Sequence, residues 1–387
     1  MATPSTAGST DARDAVLATP RDAAAGRALQ VMVVDDSLTT RTAIARLIDR
    51  ADDMQVAATA ASAERALAEL PHRPLDVIVL DLEMPGMGGM EALPRLLATR
   101  AGIQVLVVSA LTERGAEATV KAMAQGAADT MPKPQAGGFT MSWRESLLQR
   151  VRVLGRAARS ARDMAAEPAP ARPAAGAPRL AATGSVRKVP RVVAFGASTG
   201  GIHALCQVMA TLPRAMTLPI LVTQHLPPSF MEVFARQLSA ASGRPARVAA
   251  SGSVLEDGAI LIAPGSGHLQ VVCDGAGMVA AIDPAPAPSG CLPSVDPMFQ
   301  SLADALDGEA IGILLSGMGR DGALGAAALA ARGGTLIAQD RQSSAVWGMP
   351  RAIAEAGLAD AILPPALIGA EIGHRVAAGV RAAPAWG

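Results

Sequence analysis

From residue 28 onward the chain alternates short apolar runs with amphipathic stretches. LQVMVV, MQVAA, LDVIVL, IQVLVV and AADTM are separated by segments such as LTTRTAIARLIDR and GAEATVKAMAQ, whose apolar positions recur three or four residues apart. Uninterrupted apolar runs suit strands buried on both faces, and the intervening periodicity suits helices covering them. A last amphipathic helix, about Ser142 to Arg159, closes this unit. A second alternation begins at RVVAFG and continues through LPILVTQ, AILIAP, LQVVCD, AIGILLSG and GTLIAQD. Helices are expected near residues 200–211, 229–241, 297–306, 323–332 and 350–356. The pattern predicts an α/β protein with two doubly wound parallel-sheet domains.

Between the two alternations, residues 160–189 hold repeated Ala and Pro without periodic core positions and read as a linker. From Gly155 to Arg191, eight basic residues face only Asp163 and Glu167, the balance of a solvated connector or of one that docks on an acidic surface. Residues 1–27 lack apolar periodicity and read as a disordered tail. The expected division is therefore 1–27 tail, 28–159 first domain, 160–189 linker and 190–380 second domain. A chain of 387 residues suits two such domains.

Composition narrows the function classes. Lys plus Arg and Asp plus Glu are 34 each, so no global basic field draws the chain to nucleic acid. Cys206, Cys273 and Cys291 are odd in number and show no metal-binding spacing, so neither a disulfide framework nor a zinc motif is indicated. The N-terminal residues carry acids among their arginines and no apolar segment, and no stretch approaches membrane-span length. A cytoplasmic protein that is not membrane-inserted is expected.

Chemistry-bearing residues gather at the predicted strand ends. Asp35 and Asp36 end the first strand, and Asp81 ends the third in VIVLDLEMPG. The carboxyl edge of a parallel sheet brings such residues together, and a hard cation with oxygen ligands, Mg2+, relieves their repulsion. Ser109 ends the fourth strand and Lys133 follows the fifth. A carboxylate, a hydroxyl, an ammonium and a metal site suit phosphoryl transfer to an aspartate.

In the second domain GASTG, Gly196 to Gly200, fits a strand-to-helix serine elbow but equally a phosphate-binding turn. A serine nucleophile needs a base and an orienting acid. His225 follows a strand on the same edge, with His268 the second choice, whereas His203 and His374 read as helix-surface residues and His72 lies in the first domain. Asp321, in ILLSGMGRDG, follows another apolar strand. Ser198, His225 and Asp321 thus come from three strand ends and could converge. A competing reading remains, because GMGRDG is a literal G-x-G-x-x-G followed by Asp340, the layout of a dinucleotide fingerprint. Asp321 within that loop argues against a bound diphosphate.

VVDDS, LDLEMPGMGG, VVSALT and KP, taken together, resemble a response-regulator receiver domain. GASTGG, TQHLPPSF, APG, PSVDPMF, SGMGRDGA and WGMPRAI, in that order, resemble the catalytic domain of chemotaxis protein-glutamate methylesterases. The resemblance implies that Asp81 accepts phosphate from a histidine kinase, that Asp35, Asp36, Asp81 and the Glu83 carbonyl hold Mg2+, and that Ser109 and Lys133 form the switch. It implies Ser198 as nucleophile, His225 as general base and Asp321 as its partner, with backbone amides near Thr199 and Met318 forming the oxyanion hole. No cofactor is implied for the esterase reaction. The substrates would be glutamate γ-methyl esters, and also certain glutamines, of chemoreceptors, handled by a monomer whose unphosphorylated receiver covers the cleft. Three positions depart from the usual pattern: Gly88, Thr130 where an aromatic is common, and Arg320 where a neutral residue is common.

Overall fold

The computed structural model describes residues 27–100, 102–109, 112–134, 138–166, 188–275 and 277–382. The expected tail and most of the expected linker, residues 1–26 and 167–187, lie outside the described residues. Two parallel sheets carry the chain, as the apolar runs predict. The first holds strands β1 (Leu29–Val34), β2 (Met54–Ala60), β3 (Val77–Asp81), β4 (Gln104–Ser109) and β5 (Asp129–Pro132) in the order β2-β1-β3-β4-β5. Helices α1 (Leu38–Asp49), α2 (Ala63–Glu69), α3 (Gly89–Thr99), α4 (Glu113–Ala124) and α5 (Met141–Ala166) cover its two faces. The order reverses between β1 and β3, which opens the carboxyl-edge crevice directly over Asp35 and Asp81.

Helix α5 runs seven residues beyond the expected end at Arg159. The extension is Ala-rich, which favours helix, and it is anchored from inside. Arg159 donates to Asp76 Oδ2 at 2.9 Å, and Arg162 pairs with the other carboxylate oxygen. Asp76 is buried, and a buried carboxylate without a partner would be costly. The same Asp76 accepts the Gln30 amide at 2.8 Å, so one side chain ties α5 to the first strand.

The second sheet has seven strands in the order β14-β13-β12-β6-β7-β9-β8, every pair parallel. They are β6 (Val192–Ala197), β7 (Ile220–Gln224), β8 (Ala246–Val248), β9 (Ile260–Ile262), β12 (Ala310–Leu314), β13 (Thr335–Gln339) and β14 (Ala361–Leu363). The expected strand LQVVCD forms β10 (His268–Asp274), but it pairs antiparallel with β11 (Gly277–Asp283) in a hairpin outside the parallel sheet, a correction to the expected parallel arrangement. The covering helices are α6 (Gly201–Thr211), α7 (Pro228–Ser242), α8 (Val295–Ala305), α9 (Ala323–Ala331), α10 (Met349–Glu355) and α11 (Pro365–Ala382). The first strand of this unit, β6, lies centrally between β12 and β7, so its switch point falls where β6 and β12 end.

Helix α4 of the first sheet packs on α6 and α7 of the second. Val120 and Met123 belong to the same buried apolar cluster as Leu205, Phe230 and Met231. The carboxyl edge of the second sheet therefore faces the β5 end of the first.

Candidate active site

Asp35 and Asp81 are almost fully buried, whereas Asp36 is exposed. One carboxylate oxygen from each of the three lies within 4.8 Å of the others. Lys133 Nζ donates to Asp81 Oδ2 at 2.5 Å and stands 3.8 Å from Asp35. Burial raises Asp35 to about 6 against the pull of Lys133, with a further push from Asp81. Asp81 is raised for the same first reason, burial, and is eased by its bond to Lys133. Burial lowers Lys133, but its hydrogen bond to Asp81 and the surrounding carboxylates outweigh that and leave the ammonium above its ordinary value. One ammonium thus faces three crowded carboxylates. This all-oxygen donor set with surplus negative charge fits a hard divalent cation. The Glu83 amide donates to Asp81 Oδ1 at 3.1 Å, which holds the segment carrying the Glu83 carbonyl beside the cluster. Ser109 Oγ, at the end of β4, is buried without a hydrogen-bond partner among the described residues.

In the second sheet, β6 delivers Ser198 to the switch point. The turn is tight because Gly200 adopts φ +75°, and a Cβ there would lie 2.5 Å from Ala345 Cβ and 2.7 Å from Ser316 Oγ. Ser316, at the end of β12, braces the turn: its carbonyl accepts the Ser198 amide at 3.0 Å and its hydroxyl donates to the Thr199 carbonyl at 2.7 Å. Gln224, at the end of β7, donates to the Ser198 carbonyl at 3.0 Å. The next residue is His225, and its Nε2 meets Asp321 Oδ2 at 2.7 Å. Ser198 and His225 line one cavity of about 170 Å³ together with Met318.

Asp321 is buried and fully engaged. Ser294 Oγ donates to its Oδ1 at 2.6 Å, and the Val295 amide donates to Oδ2 at 2.8 Å. Burial would raise its carboxyl, yet the bonds from His225 and Ser294 hold it well below the usual range. For His225, burial lowers the imidazole, but Asp321 and then Cys291 overcome that and lift it to about 9. The imidazole is therefore protonated at neutral pH in this arrangement, its positive charge held between a carboxylate and a thiol.

The G-x-G-x-x-G loop encloses this carboxylate rather than a phosphate site. Asp340, the would-be ribose acid, accepts the Ser343 amide at 2.9 Å and is turned onto its own loop. His268 is structural: its Nδ1 accepts the Ser294 amide at 2.8 Å, and its Nε2 donates to the Ala285 carbonyl at 2.8 Å. His203 departs from its expected place on a free helix surface, because Nδ1 bonds the Ala124 carbonyl of the first domain at 2.7 Å.

The first domain lies across the mouth of this cavity. Thr199 Oγ1 donates to Asp129 Oδ2 at 3.0 Å, and Asp129 also pairs with Arg150 at 2.6 Å. The Gly200 amide donates to the Ala128 carbonyl at 2.6 Å. A second, smaller cavity of about 90 Å³ is lined by Ser109, Thr119 and Thr130 on one side and by His225, Pro227 and Phe230 on the other. It places the Ser109 hydroxyl and the His225 imidazole on the walls of one space.

Sequence reasoning named Ser198, His225 and Asp321 as candidates, and did not name Ser294, Ser316 or Gln224. Ser294 sits in PSVDPMF, and a polar pair at the start of an apolar helix was its available signal. Ser316 and Gln224 are strand-end polar residues whose partners come from other strands, so no local pattern distinguishes them from loop residues.

Fold and site together define a class: a receiver-type α/β domain seated over the mouth of an α/β domain that carries the side-chain types of a serine hydrolase. Residues 193–372 match the family described as CheB methylesterase, and residues 31–138 match the response regulator receiver domain. "Protein-glutamate methylesterase/protein-glutamine glutaminase 2" of Caulobacter vibrioides is 44% identical over 351 residues, covering 90% of this chain and 99% of that protein. A relative of the same enzyme name from a group 2 operon of Bradyrhizobium diazoefficiens is 40% identical over 378 residues, covering 91% and 95%. The crystal structure of the Thermotoga maritima CheB methylesterase catalytic domain aligns with a TM-score of 0.46 and 33% identity, covering 47% of this chain and 97% of that one. The chain belongs to the protein-glutamate methylesterase/protein-glutamine glutaminase family. Among the described residues, no helix is long and apolar enough to cross a membrane.

Proposed function

We propose that this chain hydrolyses glutamate γ-methyl esters on chemoreceptors, releasing methanol, and deamidates receptor glutamines by the same acyl chemistry, under control of receiver phosphorylation. The observation that carries the reading is the 2.7 Å bond between His225 and the buried Asp321, on the wall of the cavity that also holds Ser198. Ser198 Oγ attacks the ester carbonyl while His225 takes its proton. With Nε2 bonded to Asp321, Nδ1 is the nitrogen left to do so. Asp321 steadies the imidazolium. The tetrahedral intermediate collapses as His225 returns the proton to the departing methoxide. Water, activated by the same imidazole, then releases the glutamate side chain and restores Ser198. Backbone amides near Thr199 and Met318 serve as the oxyanion donors.

In the receiver, Asp81 is the phosphate acceptor, with a chemotaxis histidine kinase as donor, and Ser109 and Lys133 contact the added phosphoryl group. Asp35, Asp36, Asp81 and the Glu83 carbonyl would hold Mg2+, which supplies charge neutralisation at the phosphoryl oxygens. Phosphorylation draws Lys133 from its bond to the free carboxylate and biases the receiver away from the face that covers Ser198, a population shift. The acting units are residues 28–159 and 190–380, and the enzyme works as a cytoplasmic monomer.

The test is methanol release from methylated receptor membranes. Activity stimulated by a small-molecule phosphodonor is expected in the wild type. Ser198→Ala should lose at least about 10³-fold, and Asp81→Ala should lose the stimulation alone. Undiminished release by Ser198→Ala would remove the nucleophile assignment.

A further inference from the structure

Cys291 has no part in ester hydrolysis, yet it lies against the His225 and Asp321 pair. A ring nitrogen of His225, Sγ of Cys291 and a carboxylate oxygen of Asp321 all lie within 4.8 Å of one another. We propose that these three side chains form a Zn2+ site that switches the enzyme off by occupying the imidazole. The inhibitory consequence rests on the reading of His225 as the base. The site itself rests on geometry.

The donor types fit. Zn2+ takes imidazole nitrogen, thiolate sulfur and carboxylate oxygen, and three protein ligands plus water complete a tetrahedron. Bond lengths of about 2.0 to 2.3 Å at tetrahedral angles put donor atoms roughly 3.3 to 3.7 Å apart. The three donor atoms lie within 4.8 Å of one another, so the thiol reaches such separations by moving roughly 1.5 Å or less. The hydrogen-bonded His225 and Asp321 atoms, at 2.7 Å, must separate by about 1 Å or less once the proton between them is gone. Cys291 binds as the thiolate with its proton released to water, and His225 binds as the neutral ring.

The surroundings hold the donors in place. Ser289 Oγ accepts the Cys291 amide at 3.3 Å and lies 3.1 Å from Ser294 Oγ, which in turn donates to Asp321 Oδ1 at 2.6 Å. The loop that presents the thiol is thus tied to the carboxylate it faces, the kind of outer-shell support that orients metal ligands. The site is open to solvent, because Cys291 is only half-buried and Leu292 beside it is exposed.

The other two cysteines differ. Cys206 is largely buried, and its thiol is pushed up to about 11 by that burial. Cys273 lies on the exposed end of β10, and its thiol donates to the Ala305 carbonyl at 3.5 Å. Among the described residues, the other such donor cluster is Asp35, Asp36 and Asp81. Ligand softness sorts the two, with all-oxygen carboxylates for Mg2+ and mixed nitrogen, sulfur and oxygen for Zn2+.

The experiment uses the full chain, stripped by chelator and then held in excess Mg2+ so that the receiver carboxylates are occupied. Cd2+ alone is titrated while the ultraviolet cadmium-thiolate band is followed, and Zn2+ alone is titrated against phosphodonor-stimulated methanol release. Expected are a band that saturates at one equivalent, and inhibition that a chelator reverses. Cys291→Ser and Cys291→Ala, checked for folding by thermal melting, should lose the band. Each should need at least about tenfold more Zn2+ to halve its own metal-free rate. Identical Zn2+ titrations for wild type and both variants, or Cd2+ binding without a thiolate band, would overturn the site. Were methanol release absent even without metal, the functional reading would fail while the cadmium band still decided the metal site.

Discussion

The bond from Thr199 to Asp129 joins the loop that carries Ser198 to the last strand of the receiver. Replacing Asp129 by Ala removes it. In a form with the receiver swung away, Asp129 would still hold Arg150, so the substitution costs the covered form only the Thr199 contact. A hydrogen bond to a charged acceptor nets roughly 1.5–3 kcal/mol. The Asp129 side chain is 16% exposed and Thr199 is half-buried, so solvent screening reduces this to about 1 to 1.4 kcal/mol. At about 1.4 kcal/mol per tenfold, the uncovered population, and with it the basal rate, should rise roughly 5- to 10-fold. The Gly200 amide keeps its bond to the Ala128 carbonyl, so release remains partial. The assay is methanol release by unphosphorylated protein, then by the same sample with phosphodonor. The basal rate should rise while the stimulated rate holds, so that the stimulation ratio shrinks by the same factor. A basal rate within about twofold of wild type, or equal rises in both states, would refute the latch.

His225 at about 9 in the covered form must be neutral to act as base, so unphosphorylated activity should climb from pH 7 toward pH 9. The raised value also means that its stabilising contribution is complete below the unfolded value near 6.5 and fades as pH rises through 9. Melting temperature should therefore fall over the range in which activity grows, and a flat rate profile above pH 7 would contradict the assignment. Mg2+ should raise the melting temperature, by the equivalent of about 2.7 kcal/mol at a hundredfold excess over its dissociation constant. Asp35→Asn should blunt that rise, and an equal shift in both proteins would place the ion elsewhere. At Gly317 a Cβ would sit 2.3 Å from Met349 Sδ and 2.9 Å from Ser198 Cβ. Gly317→Ala should thus cost about 1–3 kcal/mol in a denaturant melt and depress the catalytic rate by displacing Ser198. Wild-type values on both counts would show that the loop gives way freely.

Much was determined by the sequence alone, because hydrophobic periodicity and strand-end placement are local signals. Apolar runs located the principal strands of both sheets, and a parallel sheet necessarily gathers its strand-end residues on one edge. That rule was enough to bring Asp35 to Asp81, and His225 to Asp321, before any coordinates. The long reach of α5 was hidden, since the buried Asp76 that anchors Arg159 and Arg162 lies more than eighty residues away. The antiparallel pairing of LQVVCD outside the sheet, the bracing by Ser316 and Gln224, and the grip of Ser294 on Asp321 were hidden for the same reason. Each depends on which strands become neighbours, and no local pattern encodes that. Tertiary structure alone decided that His203 and Thr199 are spent on the receiver, and that Cys291, with no metal-binding spacing in sequence, stands among donors from three separate loops. Composition and periodicity specify what each segment buries. Only the packing of one sheet edge against the other domain specifies what meets across it.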